Sequence, residues 1–196
     1  MILSTNVLLD RLKDYSNPFG KISRMVRDGK LFPLTKGLYE DNRNASGLYL
    51  ANAIYGPSYI SFNLALSYYS LIPEAVYDFT SATTEKKKKK VFTNYFGTFT
   101  YRDIPISAYP YGINIVEDGE YSFLIASREK ALCDKLYEIP PVRNQKELEG
   151  LLFSDMRIDE YEFGKLNRQD IYFVAPKYHV NNLMYLIGYL KRRFHE

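Results

Sequence analysis

Two groups of residues in this 196-residue chain have the types and spacing to do chemistry. The first is cationic. Lys21, Arg24 and Arg27 recur every three residues, and Lys30, Thr35 and Lys36 follow closely. Asp28 is the one acid between Lys21 and Lys36, against five cations. Arginine can read guanine edges bidentately in a major groove, and the lysines suit phosphate, so these residues fit double-stranded DNA. The second group is Glu129, Lys130 and Asp134. An acid beside a lysine could serve an enzyme acting on a nucleotide or RNA, with the run Lys86–Lys90 as a phosphate contact. The structural alternative makes Glu129 a hydrogen-bond acceptor and Lys130–Asp134, at i and i+4, a surface ion pair.

The elements needed to position the first group can be read from the flanking sequence. Residues 5 to 14 form a short amphipathic helix with Val7, Leu8 and Leu12 on one side. Ser16 or Asn17 caps a second helix that has Pro18 at its first position and Gly29 just past its end. Its spacing puts Phe19, Ile22, Met25 and Val26 on one face and Gly20, Arg24 and Arg27 on the other, with Lys21 at the edge. Gly20 would let a backbone or phosphate approach closely. "KLFPLTKGLYE" then reads as two extended pieces meeting at a Lys36-Gly37 turn, so a β-wing follows the helix.

For the second group, Ser127 caps a helix over "REKALCDKLYEI", stopped by Pro140-Pro141. Glu129 projects onto its apolar face between Leu132, Cys133 and Leu136, which is costly without partners. It is therefore expected to lock the helix to a neighbouring strand. Upstream, "ASGLYLANAI" is a helix, and "GPSYISFNLALSYYSLIPE" is a brief strand followed by a helix capped by Ser61. "AVYDFTSAT", "KVFTNYFGTFTYRDI" and "GEYSFLIAS" are strands, with Lys86–Lys90 as a solvated hairpin tip. Three helices close the chain. Asn144 with Glu147 and Asp159 with Glu162 resemble capping boxes, and "VNNLMYLIGYLKRRF" is amphipathic with a basic end.

Composition narrows the function. The net charge of +3 is too small to argue for nucleic acid without its distribution. With Cys133 alone there is no disulfide framework or thiolate cluster, and His179 and His195 are too few for a His-rich site, so no metal or cofactor is expected. The glycines are isolated turn residues and form no phosphate loop. No Ser or Cys nucleophile has a plausible base, and the sequence contains no recognisable active site. The N-terminus lacks a cationic n-region, and "LMYLIGYL" is too short to span a bilayer, which points to a cytoplasmic protein without membrane contact.

Three stretches in order, "ISRMVRDGKLFPLTKGLYE", "SYISFNLALSYYSLIPE" and "IASREKALCDKLYE", resemble the AbiEi-type antitoxins of bacterial type IV toxin–antitoxin and abortive-infection modules. The resemblance covers roughly residues 5 to 140. It implies an α+β protein, with a winged helix-turn-helix-like module over 1–43 and a mixed α/β antitoxin-type domain over 44–196. It also implies autorepression at the protein's own promoter. The antitoxin would counter a nucleotidyltransferase-like toxin without a stable complex, and the protein would not be an enzyme. Two departures stand out. The family usually has another helix ahead of the two placed here, and Arg128 stands where it often has proline. An orphan interaction protein that no longer binds DNA is a further alternative.

Overall fold

The computed structural model describes residues 1–195. The chain opens with a strand that the sequence reading did not anticipate, β1 (Ile2–Ser4), which runs directly into α1 (Thr5–Arg11). Ser4 caps α1 by accepting from the Val7 N–H. Asn17 caps α2 (Pro18–Arg27), with Pro18 in the first turn and Gly29 at φ +67° beyond its end, as expected. The hairpin of β2 (Phe32–Thr35) and β3 (Leu38–Glu40) follows, and β1 pairs antiparallel with β3, giving the order β1-β3-β2. Leu3, Leu8, Ile22 and Leu31 form the small core of this unit.

The rest is built on a mixed six-stranded sheet, order β6-β7-β5-β4-β9-β8. Helix α3 (Gly47–Ile54) leads to the two-residue β4 (Tyr59–Ile60) and α4 (Phe62–Tyr68). The strands β5 (Phe79–Thr83), β6 (Lys90–Asn94), β7 (Gly97–Asp103), β8 (Ile113–Asp118) and β9 (Tyr121–Ala126) come next. β4 lies antiparallel to β5 and parallel to β9, while β5 is parallel to β7. β5 is central and buried on both faces, so it reads as a nearly continuous buried run with little alternation. β8, an edge strand, escaped the sequence reading because only Ile113 and Val116 are even half-buried and no period-2 signal forms.

Helix α5 (Arg128–Glu138) follows β9. Among the described residues four α-helices come after it, where three were expected: α6 (Gln145–Gly150), α7 (Glu160–Gly164), α8 (Arg168–Val174) and α9 (Asn181–Phe194). The helix missed was α8, seven residues long and capped by Asn167, whose side chain accepts from the Gln169 N–H. Asn144 and Asp159 do cap α6 and α7, accepting from the N–H groups of Glu147 and Glu162. Leu50, Ile60, Leu66, Phe99, Leu132 and Leu186 are fully buried in the main core. Buried tyrosines keep their hydroxyls bonded, as where Tyr101 donates to the Ala51 carbonyl at 2.7 Å. The chain is thus a mixed α+β protein with two sheets.

Candidate functional site

The cationic residues lie where α2 and the β2–β3 turn meet solvent. Arg24, Arg27, Lys30 and Lys36 are exposed, and Lys21 and Thr35 are half-buried. Lys21 leans over the Tyr15 ring, 5.0 Å from its centroid. Arg27 pairs with Asp28 at 3.5 Å, whereas Arg24, Lys30 and Lys36 form no ion pair among the described residues. The Arg24 Nε donates to the Gly20 carbonyl at 3.3 Å, fixing the side chain along the helix. A concavity of about 470 Å³ lies between α2 and the hairpin. Ile22, Ser23, Val26, Thr35 and Lys36 are among the residues lining it.

One sequence reading of α2 needs correction. Phe19 does not join the apolar face; it is 63% exposed, on the row shared by Ser23 and Arg27 at four-residue spacing. Ile22 is the buried residue of α2, with Met25 and Val26 packed against the same small core, and Phe19 is not among the residues that reach it. Gly20 has a local role as well. Its N–H donates to the Asn17 carboxamide at 2.8 Å, and a Cβ there would stand 2.7 Å from the Asn17 Nδ2.

The run Lys86–Lys90 is not a hairpin tip. β5 and β6 do not pair, because β7 lies between them, parallel to β5 and antiparallel to β6. The lysines therefore occupy a crossover at the sheet edge. Lys86 sits 5.3 Å from the Tyr55 ring centroid, and the Lys87 N–H donates to Asp103 at 2.5 Å. Lys87 to Lys90 are exposed.

Lys130 and Asp134 are not a surface pair. Their side chains are 1% and 0% exposed, with Nζ 3.3 Å from Oδ1. The reason is that α5 runs through the interior, buried from Glu129 to Asp134 and again at Leu136. Nζ donates to the Ala108 carbonyl and to the Tyr178 hydroxyl, both at 2.7 Å. Asp134 accepts from Tyr178 at 2.5 Å, Tyr59 at 2.9 Å and Ser61 at 2.6 Å. Ser61 stands at the start of α4 as expected, but its hydroxyl makes no cap and is committed to Asp134. The turn there is strained: Phe62 has φ +57°, a left-handed conformation unusual for a bulky residue. Burial lowers the Lys130 ammonium from its ordinary value, opposed by the Asp134 charge. Burial and Asp134 push Tyr59 and Tyr178 well above theirs. Burial likewise raises the Cys133 thiol.

Glu129 is an anchor with a different partner from the one expected. Its carboxylate accepts from the Ser127 hydroxyl at 3.0 Å and from the Asn167 N–H at 2.9 Å. It therefore ties α5 to the start of α8, not to a strand. Ser127 caps α5, accepting from the Lys130 N–H at 3.2 Å.

Chemically the two groups differ. The α5 cluster turns the Lys130 Nζ inward onto a carbonyl, a phenol and a carboxylate, while a cavity of about 290 Å³ lies against the start of the helix, with Gly112, Asn114, Ser127, Glu129, Lys130 and Asp170 in its lining. Among the described residues, no three His, Cys, Asp or Glu side chains converge on a metal position. No helix among them is long and apolar enough to cross a membrane. The α2 surface, by contrast, presents charge outward. No protein-family model matches the chain, and neither does any curated protein.

Proposed function

We propose that this protein is a DNA-binding autorepressor that also acts as the antitoxin of a bacterial type IV toxin–antitoxin module. The observation carrying the DNA half is the outward charge on α2 and the hairpin, where Arg24, Lys30 and Lys36 are exposed without ion-pair partners among the described residues. The arrangement of strand, two helices and hairpin, with β1 beside β3, supports a winged-helix reading. In that reading α2 enters the major groove and the hairpin lies along phosphates. The antitoxin half rests on the sequence resemblance, with a nucleotidyltransferase-like toxin as the functional partner and no stable complex between them. The cytoplasm is the compartment this role requires.

Gel-shift titration with the DNA upstream of the gene, at two salt concentrations, tests the proposal. Affinity should fall steeply with salt, because phosphate neutralisation releases counterions. Arg24→Ala should weaken binding by about 1–3 kcal/mol where the arginine reads a base bidentately. Absence of any shift at low salt would remove the repressor half.

A further inference from the structure

The six-stranded sheet has two edges of unlike chemistry. β6 carries Lys90, with Lys86–Lys89 just ahead of it, and its far end meets the N-terminal unit. There Asn94 Nδ2 donates to the Leu34 carbonyl at 3.1 Å, and the next residue, Tyr95, packs on Phe32 at 4.7 Å between centroids. Lysine charge and a covering segment are ways in which edges avoid pairing. β8 has neither along Ile113, Asn114, Ile115 and Val116; acids enter only at Glu117 and Asp118. Ile115, in the middle, is 69% exposed.

Backbone parity decides which groups of β8 are open. β8 and β9 join through Gly119 and Glu120, with Asp118 opposite Tyr121 and Gly119 at φ +61°. A two-residue hairpin closes on a hydrogen-bonded pair, so Asp118, Val116 and Asn114 bond inward to β9. Ile113, Ile115 and Glu117 then direct their N–H and C=O groups outward.

We propose that β8 pairs antiparallel with β8 of a second copy of this chain, about a two-fold axis at Ile115, joining the two sheets into one. The register follows from the side chains. The open groups sit on odd-numbered residues, so odd must face odd. With the axis at Ile115, Ile115 faces its own copy, Ile113 faces Glu117 of the second copy, and Asn114 faces Val116. No acid then faces an acid, and the exposed isoleucines cover each other; directly opposed like charges would destabilise the pair. An axis at Val116 would instead set Ile115 against Glu117. Pairing of β8 with the lysine-flanked β6 of another copy would satisfy charge, but the end of β6 is engaged by Leu34 and Phe32. That contact would also be head-to-tail and leave free edges for further addition. One six-residue strand pair is smaller than a standard stable interface, so the dimer is weak and forms as concentration rises. This pairing stands apart from the DNA reading and can be tested without DNA.

Sedimentation equilibrium over a concentration series should show the mass rising from 22.9 kDa toward twice that value and stopping there. Ile115→Lys, which sets ammonium against ammonium across the axis, should hold the protein at 22.9 kDa with an unchanged melting temperature. Ile115→Cys should form an intermolecular disulfide on mild oxidation, since Cα atoms of a hydrogen-bonded antiparallel pair lie about 5.5 Å apart. The native Cys133 is buried and stays out of this reaction. Val91→Cys, on the β6 edge and 55% exposed, serves as the comparison and should cross-link far more slowly. A monomer at every concentration overturns the proposal. So does an open-ended series of masses, a dimer that survives Ile115→Lys, or Val91→Cys cross-linking as readily as Ile115→Cys.

Discussion

At the scale of single residues, Glu129 shows how far composition and spacing can go. Its place on the buried face of α5 was legible from Ser127 and the apolar residues around it, and so was its need for donors. The donor itself was not legible. Asn167 lies 38 positions away, and the short helix it caps gave no clear periodic signal. Removing the carboxylate strands the Asn167 N–H and the Ser127 hydroxyl in a largely buried place, so Glu129→Ala should cost about 1–3 kcal/mol. Glu129→Gln keeps an acceptor and should cost less. Thermal unfolding of the three proteins side by side tests the order; equal stability in both variants would refute the anchor. Phe19 was misread for a related reason. Helical periodicity assigns a face, but where the core under that face ends depends on residues from other elements.

At the scale of elements, α5 is the member that the others are built around. A single-sequence reading takes Lys and Asp at i and i+4 for a solvated pair, because most such pairs lie on surface helices. Only the tertiary fold sets Tyr59 and Ser61 on one side of Asp134 and Tyr178 on the other. Breaking a buried pair from one side leaves a charge without compensation, so Asp134→Ala should destabilise by about 3–5 kcal/mol. Lys130→Met should be severe too, and the double variant should lose clearly less than the sum, because the two share one network. A denaturant-unfolding cycle measures this, and strict additivity would mean that the two side chains act independently. The tyrosines of this cluster, with Tyr101 elsewhere in the core, set an alkaline limit. Tyr59, Tyr101 and Tyr178 have raised pKa values in the folded protein, by burial first in each case. Their contribution to stability is complete below the unfolded value of about 10 and is lost as pH climbs toward the folded ones. Lys130, lowered by burial, works in the opposite direction over its own window and offsets part of this. Tyrosinate absorbance should therefore show these three phenols resisting ionisation above pH 10 until the chain unfolds. Ordinary titration of all 19 tyrosines in the folded protein would contradict the burial argument.

At the scale of the whole molecule, the composition changes near residue 44, where the basic stretch ends and the tyrosine-rich stretch begins, and the fold holds a three-stranded and a six-stranded sheet. How the parts join was not legible, since the contacts pair residues far apart in sequence. Leu34, on β2, belongs to the main core and not to the small N-terminal one. Phe32 packs against Tyr95 and Phe96, and Glu40, fully buried, accepts from the Tyr121 hydroxyl at 2.9 Å. A chain beginning near Asn44 keeps both covered faces of the six-stranded sheet and should fold. It also uncovers the surface that Leu34 and Phe32 occupied. Losing large apolar groups from a packed site typically costs about 2–5 kcal/mol, or roughly 4–20 °C in a domain of this size. The truncated protein should accordingly melt cooperatively but lower than the full chain, and should not shift promoter DNA. Full-length protein with Lys21, Arg24 and Arg27 all replaced by alanine should also lose the shift, yet melt near the parent, because Arg24 and Arg27 are exposed and Lys21 half-buried. Together the two measurements separate the contributions of α2. If the triple variant melts as low as the truncation, the basic face is part of the joint between the two units. If the truncation melts as high as the full chain, the contacts of Leu34, Phe32 and Glu40 contribute nothing to stability and the units are independent.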